Sequence, residues 1–176
     1  MLLWSKKLDK HQDFFELAMT VGQQLHQRGL MLVTAESCTG GWLGQAVTAV
    51  AGSSVWYERG FITYSNASKH EMLGVEQTVL EQYGAVSPQT AQQMAIGALN
   101  RSHAQLGVAI TGIAGPDGGT AAKPVGMVCF AWVLKGGLVQ QETHHFQGNR
   151  ETIRYLAVTT ALQGVLLLLN DDIAVV

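Results

Sequence analysis

Between Asp13 and Arg28 the apolar residues Phe14, Leu17, Ala18, Val21 and Leu25 recur at the spacing of one helical face, and Gly29 closes the run. The segment LMLVTAE then reads as a short buried strand, after which GGWLGQAVTAV returns to helical spacing through Trp42, Leu43, Ala46, Val47 and Val50. AGSS is a loop, VWYERGFITY a second strand containing one glycine, and SNASKHEMLG opens with residues suited to capping a short helix. SPQTAQQMAIGALNR predicts a longer helix, with Ser87 as N-cap and Pro88 at the first helical position. Ala91, Met94, Ala95 and Ala98 lie along one side of it and are small enough for close packing. LGVAIT reads as a third strand running into the glycine-rich GIAGPDGGTAAKP. VGMVCFAWVLKGGLVQQETHHF reads as a hairpin joined at Lys135-Gly136-Gly137, and a last helix runs from about Asn149 to about Asn170.

Strands alternating with helices and ending in a hairpin imply an α/β layered domain around a mixed sheet, partly parallel and partly antiparallel. The 176 residues suit one domain over 1–176, and no linker or internal repeat divides them. Hydrophobic residues make up 47% and charged residues 14%, an apolar surplus that predicts subunit contacts in a homodimer or larger homo-oligomer. The formal net charge of −2, without a run of Lys or Arg, argues against nucleic acid as a partner. MLLWSKKLDKHQD is too short in apolar residues for a signal peptide, and GVLLLL is far short of the roughly 20 residues that span a bilayer. The expectation is a soluble cytoplasmic protein with no membrane partner. Cys38 and Cys129 stand apart with no CxxC spacing, so a disulfide framework and a zinc site are both unsupported.

Three polar loops follow strands, where open α/β sheets place their ligands. In the first, ESCTGG, a hydroxyl at a strand-to-helix turn either caps the helix or sits where unpaired N–H groups stabilise an oxyanion, so Ser37 is an N-cap or a nucleophile. In the second, YSNASK, Tyr64 ends a strand and Lys69 lies about one turn beyond Ser65 and Asn66. A lysine withdrawn from water can take a proton from a serine; a solvated lysine on a surface helix is the other reading. The third, TGIAGPDGG, either turns consecutive N–H groups inward as an anion-binding nest or is a wide turn, and it is neither a Walker A sequence nor GxGxxG.

Other features carry less. His144 and His145 are adjacent in a strand and face opposite sides, so they do not serve one metal. Cys38 is a competent nucleophile in principle and otherwise a small buried apolar residue. Asp117 and Glu36 could act as bases or hold loops, and no pattern in the sequence assigns Glu36 a role. Arg150 and Arg154 open the last helix at i and i+4, where a cation opposes the macrodipole, and Arg150 in particular invites a role such as phosphate binding.

Taken together, TAESCTGG, GSSVWYERGFITYSNASKHEMLGV, YGAVSPQTAQQMA, VAITGIAGPDGGTAAKPVGMV and FQGNRETIR resemble the CinA (competence/damage-inducible) C-terminal domain family over about residues 13–168. The resemblance implies a three-layer α/β/α sandwich and the hydrolysis of the carboxamide of nicotinamide mononucleotide (NMN) to nicotinate mononucleotide and ammonia. It implies Ser37 as nucleophile, Lys69 as base, and Tyr64 orienting or relaying the proton. Thr39, Gly40 and Gly41 would supply backbone N–H groups to the oxyanion. Thr111, Gly112, Ala114, Gly115, Gly118 and Gly119, with Asn66 and Arg150, would bind the nucleotide; no metal and no cofactor is required. Asn149 stands where the family commonly has aspartate, and Met127 where a smaller residue is usual. A catalytically silent nucleotide-binding or regulatory paralogue, an amidase for another carboxamide, and a Cys38-based hydrolase remain as alternatives.

Overall fold

The computed structural model describes residues 14–170. Among them, the strands β1 (Leu32–Glu36), β2 (Tyr57–Ile62), β3 (Leu106–Gly112), β4 (Met127–Leu134) and β5 (Leu138–His145) form one five-stranded sheet in the order β2-β1-β3-β4-β5. β1 runs parallel to β2 and β3, whereas β3, β4 and β5 pair antiparallel, so the sheet is mixed. The helices are α1 (Phe14–Gln27), α2 (Trp42–Thr48), α3 (Asn66–Leu73), α4 (Gln77–Tyr83), α5 (Pro88–Asn100) and α6 (Arg150–Asn170).

Successive strand residues point to opposite faces, and here they feed two cores. Leu32, Val108, Ile110, Val128, Phe130 and Trp132 pack with α1, α2 and α6. Val33, Ala35, Ala109, Cys129, Ala131 and Val133 pack with α5 and with Leu73 of α3 and Leu80 of α4. The result is the helix–sheet–helix sandwich expected, with β1 buried along its whole length. The chain crosses from β1 to β2 through α2 on one face, then from β2 back over β1 to β3 through α5 on the other. Connections of one hand running in opposite directions require this change of face. The carboxyl ends of β1 and β3 therefore lie where the connections diverge, the place at which such sheets bind ligands.

Glycines permit the closest approaches between layers. A Cβ on Gly97 of α5 would lie 2.0 Å from the Leu73 carbonyl oxygen of α3, and one on Gly164 of α6 would lie 2.2 Å from the Trp132 ring. Trp132 Nε1 donates to the Ala161 carbonyl at 3.0 Å, which fixes α6 against β4.

Ser87 Oγ caps α5 by accepting the Thr90 N–H, with Pro88 in its first turn, and the hairpin turns between Leu134 and Leu138, both as the pattern predicts. The structure differs in three places. The start of VWYERGFITY is a single 3-10 turn, Ser53–Val55, and pairing begins only at Tyr57, because Trp56 is buried in the core over Gly22 of α1. α4 is an addition to the expected order; only Leu80 of its seven residues is buried and no side chain caps it, so it carries neither an apolar stripe nor a start signal. α6 is long and apolar enough to cross a membrane by length and composition, although more than half of that stretch is buried as a core helix against α1 and the sheet. The reading of residues 1–13 as no leader lies outside the described residues.

Candidate active site

β1 delivers Glu36 and Ser37 to the carboxyl end of the sheet, and the chain turns through Cys38, Thr39, Gly40 and Gly41 into α2. Gly40 and Gly41 take φ of +61° and +97°, conformations that disfavour a side chain, and a Cβ on Gly41 would meet Ile62 Cδ1 at 2.8 Å. The Ser37 N–H donates to the Ile110 carbonyl at 2.9 Å, extending the β1–β3 ladder by one residue. The backbone of Ser37 is thus held as the end of a strand.

Lys69 reaches this serine from α3. That helix starts with a reciprocal cap, in which Ser65 Oγ accepts the Ser68 N–H and Ser68 Oγ accepts the Ser65 N–H. Lys69 is only 1% exposed. Its Nζ donates to Ser37 Oγ at 2.9 Å and to the Thr63 carbonyl at 2.8 Å. Thr63 is itself fixed by its N–H on the Glu36 carbonyl at 2.8 Å. Burial pushes Lys69 down from 10.5 to about 8. A neutral amine has two N–H groups and one lone pair; with one N–H on the Thr63 carbonyl, the lone pair can face the Ser37 hydroxyl.

Glu36, left without a role by the sequence, is 2% exposed and holds the start of α2. Its Oε2 accepts the N–H groups of Gly41 and Leu43 at 3.0 Å each, and its Oε1 accepts that of Gly44 at 2.8 Å. A buried carboxylate gains from these otherwise unpaired donors, which carry partial positive charge. This corrects the expectation of three free amides at Thr39, Gly40 and Gly41. The Gly41 N–H is taken by Glu36 and the Gly40 N–H donates to the Ser37 carbonyl at 3.0 Å, so Thr39 keeps the N–H without an acceptor among the described residues.

Cys38 points away into the core packed by α1 and α6. Burial pushes its thiol up to about 12, so it stays protonated and is a poor nucleophile. Arg154 of α6, which sequence reasoning passed over in favour of Arg150, closes the other side of the turn. Its Nε donates to the Cys38 carbonyl at 3.1 Å and its Nη2 to the Thr39 carbonyl at 2.7 Å, with the guanidinium 5.1 Å from the centre of the Trp42 ring. The i, i+4 arginine pair at the start of α6 was the available signal.

The remaining expected residues form a second group. Tyr64 is 61% exposed, and its hydroxyl accepts from Arg150 Nη2 at 2.9 Å; it is hydrogen-bonded to neither Ser37 nor Lys69. Arg150 Nη1 donates to the Gly115 carbonyl at 2.8 Å, so this arginine ties the loop after β2 to the glycine-rich loop after β3. Asn66 is exposed at the first position of α3. Thr111 is buried and its hydroxyl donates to the Ala85 carbonyl at 2.7 Å, bracing the turn before α5. Ala114 is buried in the core on the α6 side. Cβ atoms on Gly112, Gly115 and Gly119 would come within 2.6 to 2.9 Å of Val128, Met127 or Val125, so the loop needs glycine for its own packing. Its N–H groups at Ala114, Gly115, Asp117, Gly118 and Gly119 have no acceptor among the described residues. Also among the described residues, no three His, Cys, Asp or Glu side chains cluster where they could hold a metal ion.

Relatives agree with this architecture. The CinA C-terminal domain family model matches residues 15–169. The chain is 50% identical over 151 residues to the nicotinamide-nucleotide amidohydrolase PncC of Enterobacter agglomerans, covering 86% of this chain and 92% of that protein. It is 48% identical, over the same shares, to the protein of that name in Escherichia coli K12. Among solved structures, the competence/damage inducible protein CihA from Agrobacterium tumefaciens superposes with a TM-score of 0.87 at 48% identity, over 91% of this chain and 97% of that one. A CinA superfamily protein from Escherichia coli gives 0.88 at 40% identity, over 92% and 94%. The chain belongs to the CinA C-terminal domain family.

Proposed function

We propose that this chain hydrolyses the carboxamide of NMN to nicotinate mononucleotide and ammonia, with Ser37 as nucleophile and Lys69 as general base. The observation that carries the mechanism is the 2.9 Å contact between Lys69 Nζ and Ser37 Oγ with the lysine withdrawn from water. The naming of relatives at about half identity as nicotinamide-nucleotide amidohydrolases supports the substrate.

Ser37 Oγ attacks the carboxamide carbon as its proton passes to Lys69, and the tetrahedral oxyanion is met by the Thr39 N–H. The C–N bond breaks as Lys69 returns the proton to nitrogen, releasing ammonia and an acyl-serine. Water, deprotonated by the same lysine, attacks the ester carbon, and Ser37 leaves with the proton. The Thr63 carbonyl keeps the amine oriented through both halves.

The phosphate rests against the unpaired N–H groups of Ala114, Gly115, Asp117, Gly118 and Gly119, an anion-binding arrangement, with Arg150 supplying a remaining guanidinium N–H. Tyr64, joined to Arg150, acts at this substrate end.

The experiment is to incubate purified protein with NMN and follow ammonia, with Ser37→Ala, Lys69→Ala and Cys38→Ser in parallel. Wild type and Cys38→Ser release ammonia, and the other two fall by two or more orders of magnitude. NMN binding with no ammonia from wild type rejects the enzyme, and activity lost in Cys38→Ser but kept in Ser37→Ala moves the nucleophile by one residue.

A further inference from the structure

The turn after β1 is gripped from two sides by charged residues that do not touch Ser37 Oγ. Glu36 takes the N–H groups of Gly41, Leu43 and Gly44. Arg154 takes the carbonyls of Cys38 and Thr39 and packs against Gly40, where a Cβ would lie 3.8 Å from its Nη2. Its guanidinium is seated on Trp42, which is in turn packed edge-on against Phe14 at 5.4 Å and Tyr155 at 6.4 Å. A guanidinium is suited to holding two carbonyls at once because its donors form a rigid fork.

In a trans peptide the C=O and N–H point in opposite directions. With the Cys38 carbonyl drawn to Arg154, the N–H of the same peptide, that of Thr39, is turned away from α6. Lys69 enters from α3, which packs in the core on the opposite face of the sheet from α6. That amide, on a residue that is itself 0% exposed, is therefore turned toward the lysine's side of the turn. Rotating that peptide would swing a carbonyl oxygen into the place of the donor, and repulsion would replace stabilisation.

Resting on the hydrolase reading above, we infer that Arg154 is a positioning residue for the reaction: by holding the Cys38 and Thr39 carbonyls, it aims the Thr39 N–H at the oxyanion formed when Ser37 attacks the carboxamide. Arg154 touches neither the substrate nor the serine oxygen, so its removal costs transition-state stabilisation and leaves ground-state binding in place.

The test compares wild type with Arg154→Met and Arg154→Lys, each first checked for a cooperative thermal transition. In Arg154→Met, kcat for NMN falls on the order of 100-fold, the scale of losing one oxyanion donor, while KM changes by less than about threefold. The pH at which activity is half-maximal is unchanged, because Lys69 is untouched. Arg154→Lys, which keeps charge without the fork, lies between the two. A fluorophosphonate reagent gives a second readout that needs no NMN: Ser37 Oγ bonds to phosphorus, fluoride leaves, and the labelling rate falls in step with kcat. Should Arg154→Met fail to fold, Arg154→Lys and its labelling rate decide. A kcat within threefold of wild type, an increase in KM alone, or unchanged labelling overturns the assignment. Wild type that releases no ammonia from NMN, yet labels at Ser37 with slower labelling in the variant, rejects the substrate and supports the role of Arg154. Wild type that neither hydrolyses nor labels rejects both.

Discussion

Lys69 and Ser37 are 32 residues apart in the chain and meet at 2.9 Å in the fold, the lysine descending from α3 and the serine ending β1. Burial brings the lysine to about 8, so at neutral pH only a minority of molecules hold it as the free amine that can accept a proton. On the proposed mechanism, kcat/KM for NMN rises close to tenfold per pH unit well below pH 8 and levels off above it. Initial rates of ammonia release between pH 6 and 9.5 check this, and a flat profile counts against Lys69 as the base.

The same displacement links stability to pH. In the unfolded chain the lysine returns to about 10.5, against about 8 when folded, so between these values the unfolded state holds a proton that the folded state lacks. Stability therefore rises with pH across that window, and below pH 8 the whole penalty for burying the charge is present. Its size is about 3 kcal/mol. Lys69→Met keeps the chain length and cannot titrate. Urea unfolding at pH 7.5 and pH 10 is expected to show the wild type gaining about 2–3 kcal/mol on Lys69→Met over that interval.

Glu36 offers a second measurement. Glu36→Gln retains one acceptor oxygen but places an amide NH2 against donors that the carboxylate now satisfies at Gly41, Leu43 and Gly44. The expected cost is about 2–3 kcal/mol in denaturant unfolding, since hydrogen bonds to a charged acceptor are the stronger ones. Activity falls at least about tenfold as the turn carrying Ser37 loosens, a small displacement at a reacting centre being expensive. Unchanged stability at neutral pH would remove Glu36 from its structural role.

What the sequence made legible follows from how local each feature is. α1, α5 and the β4–β5 hairpin are written in periodicity, in Ser87-Pro88 and in Gly136-Gly137, all within a few residues of the structure they specify. Ser37 and Lys69 stand out because each follows a strand and enters a helix. Glu36 reads as a base or a loop carboxylate, since its partners are amides of a turn whose path no local pattern sets. Arg154 acts on carbonyls 115 and 116 residues away, and Tyr64 meets an arginine 86 residues on. Thr111 looks like a ligand hydroxyl until the fold places Ala85 against it.

The small residues of α5 connect packing to the candidate site. Gly97 lies against the last residue of α3, so closely that a Cβ would sit 2.0 Å from the Leu73 carbonyl oxygen, 2.8 Å from its carbon and 3.1 Å from its Cα. All three are backbone atoms, so no side chain can rotate aside, and α3 or α5 must shift as a body. Helix propensity alone would favour alanine over glycine by about 1 kcal/mol, which sets a clear sign test. Overpacking against backbone costs about 1–3 kcal/mol, so Gly97→Ala is expected to lower stability on balance. Lys69 is one turn before Leu73 in the same helix, and a shift of α3 moves Nζ relative to Ser37. Gly97→Ala should therefore reduce kcat for NMN by about tenfold or more while leaving KM near its wild-type value, measured by ammonia release at a temperature well below the variant's unfolding transition. A variant with raised melting temperature and full activity would mean that α3 and α5 can separate without moving the lysine.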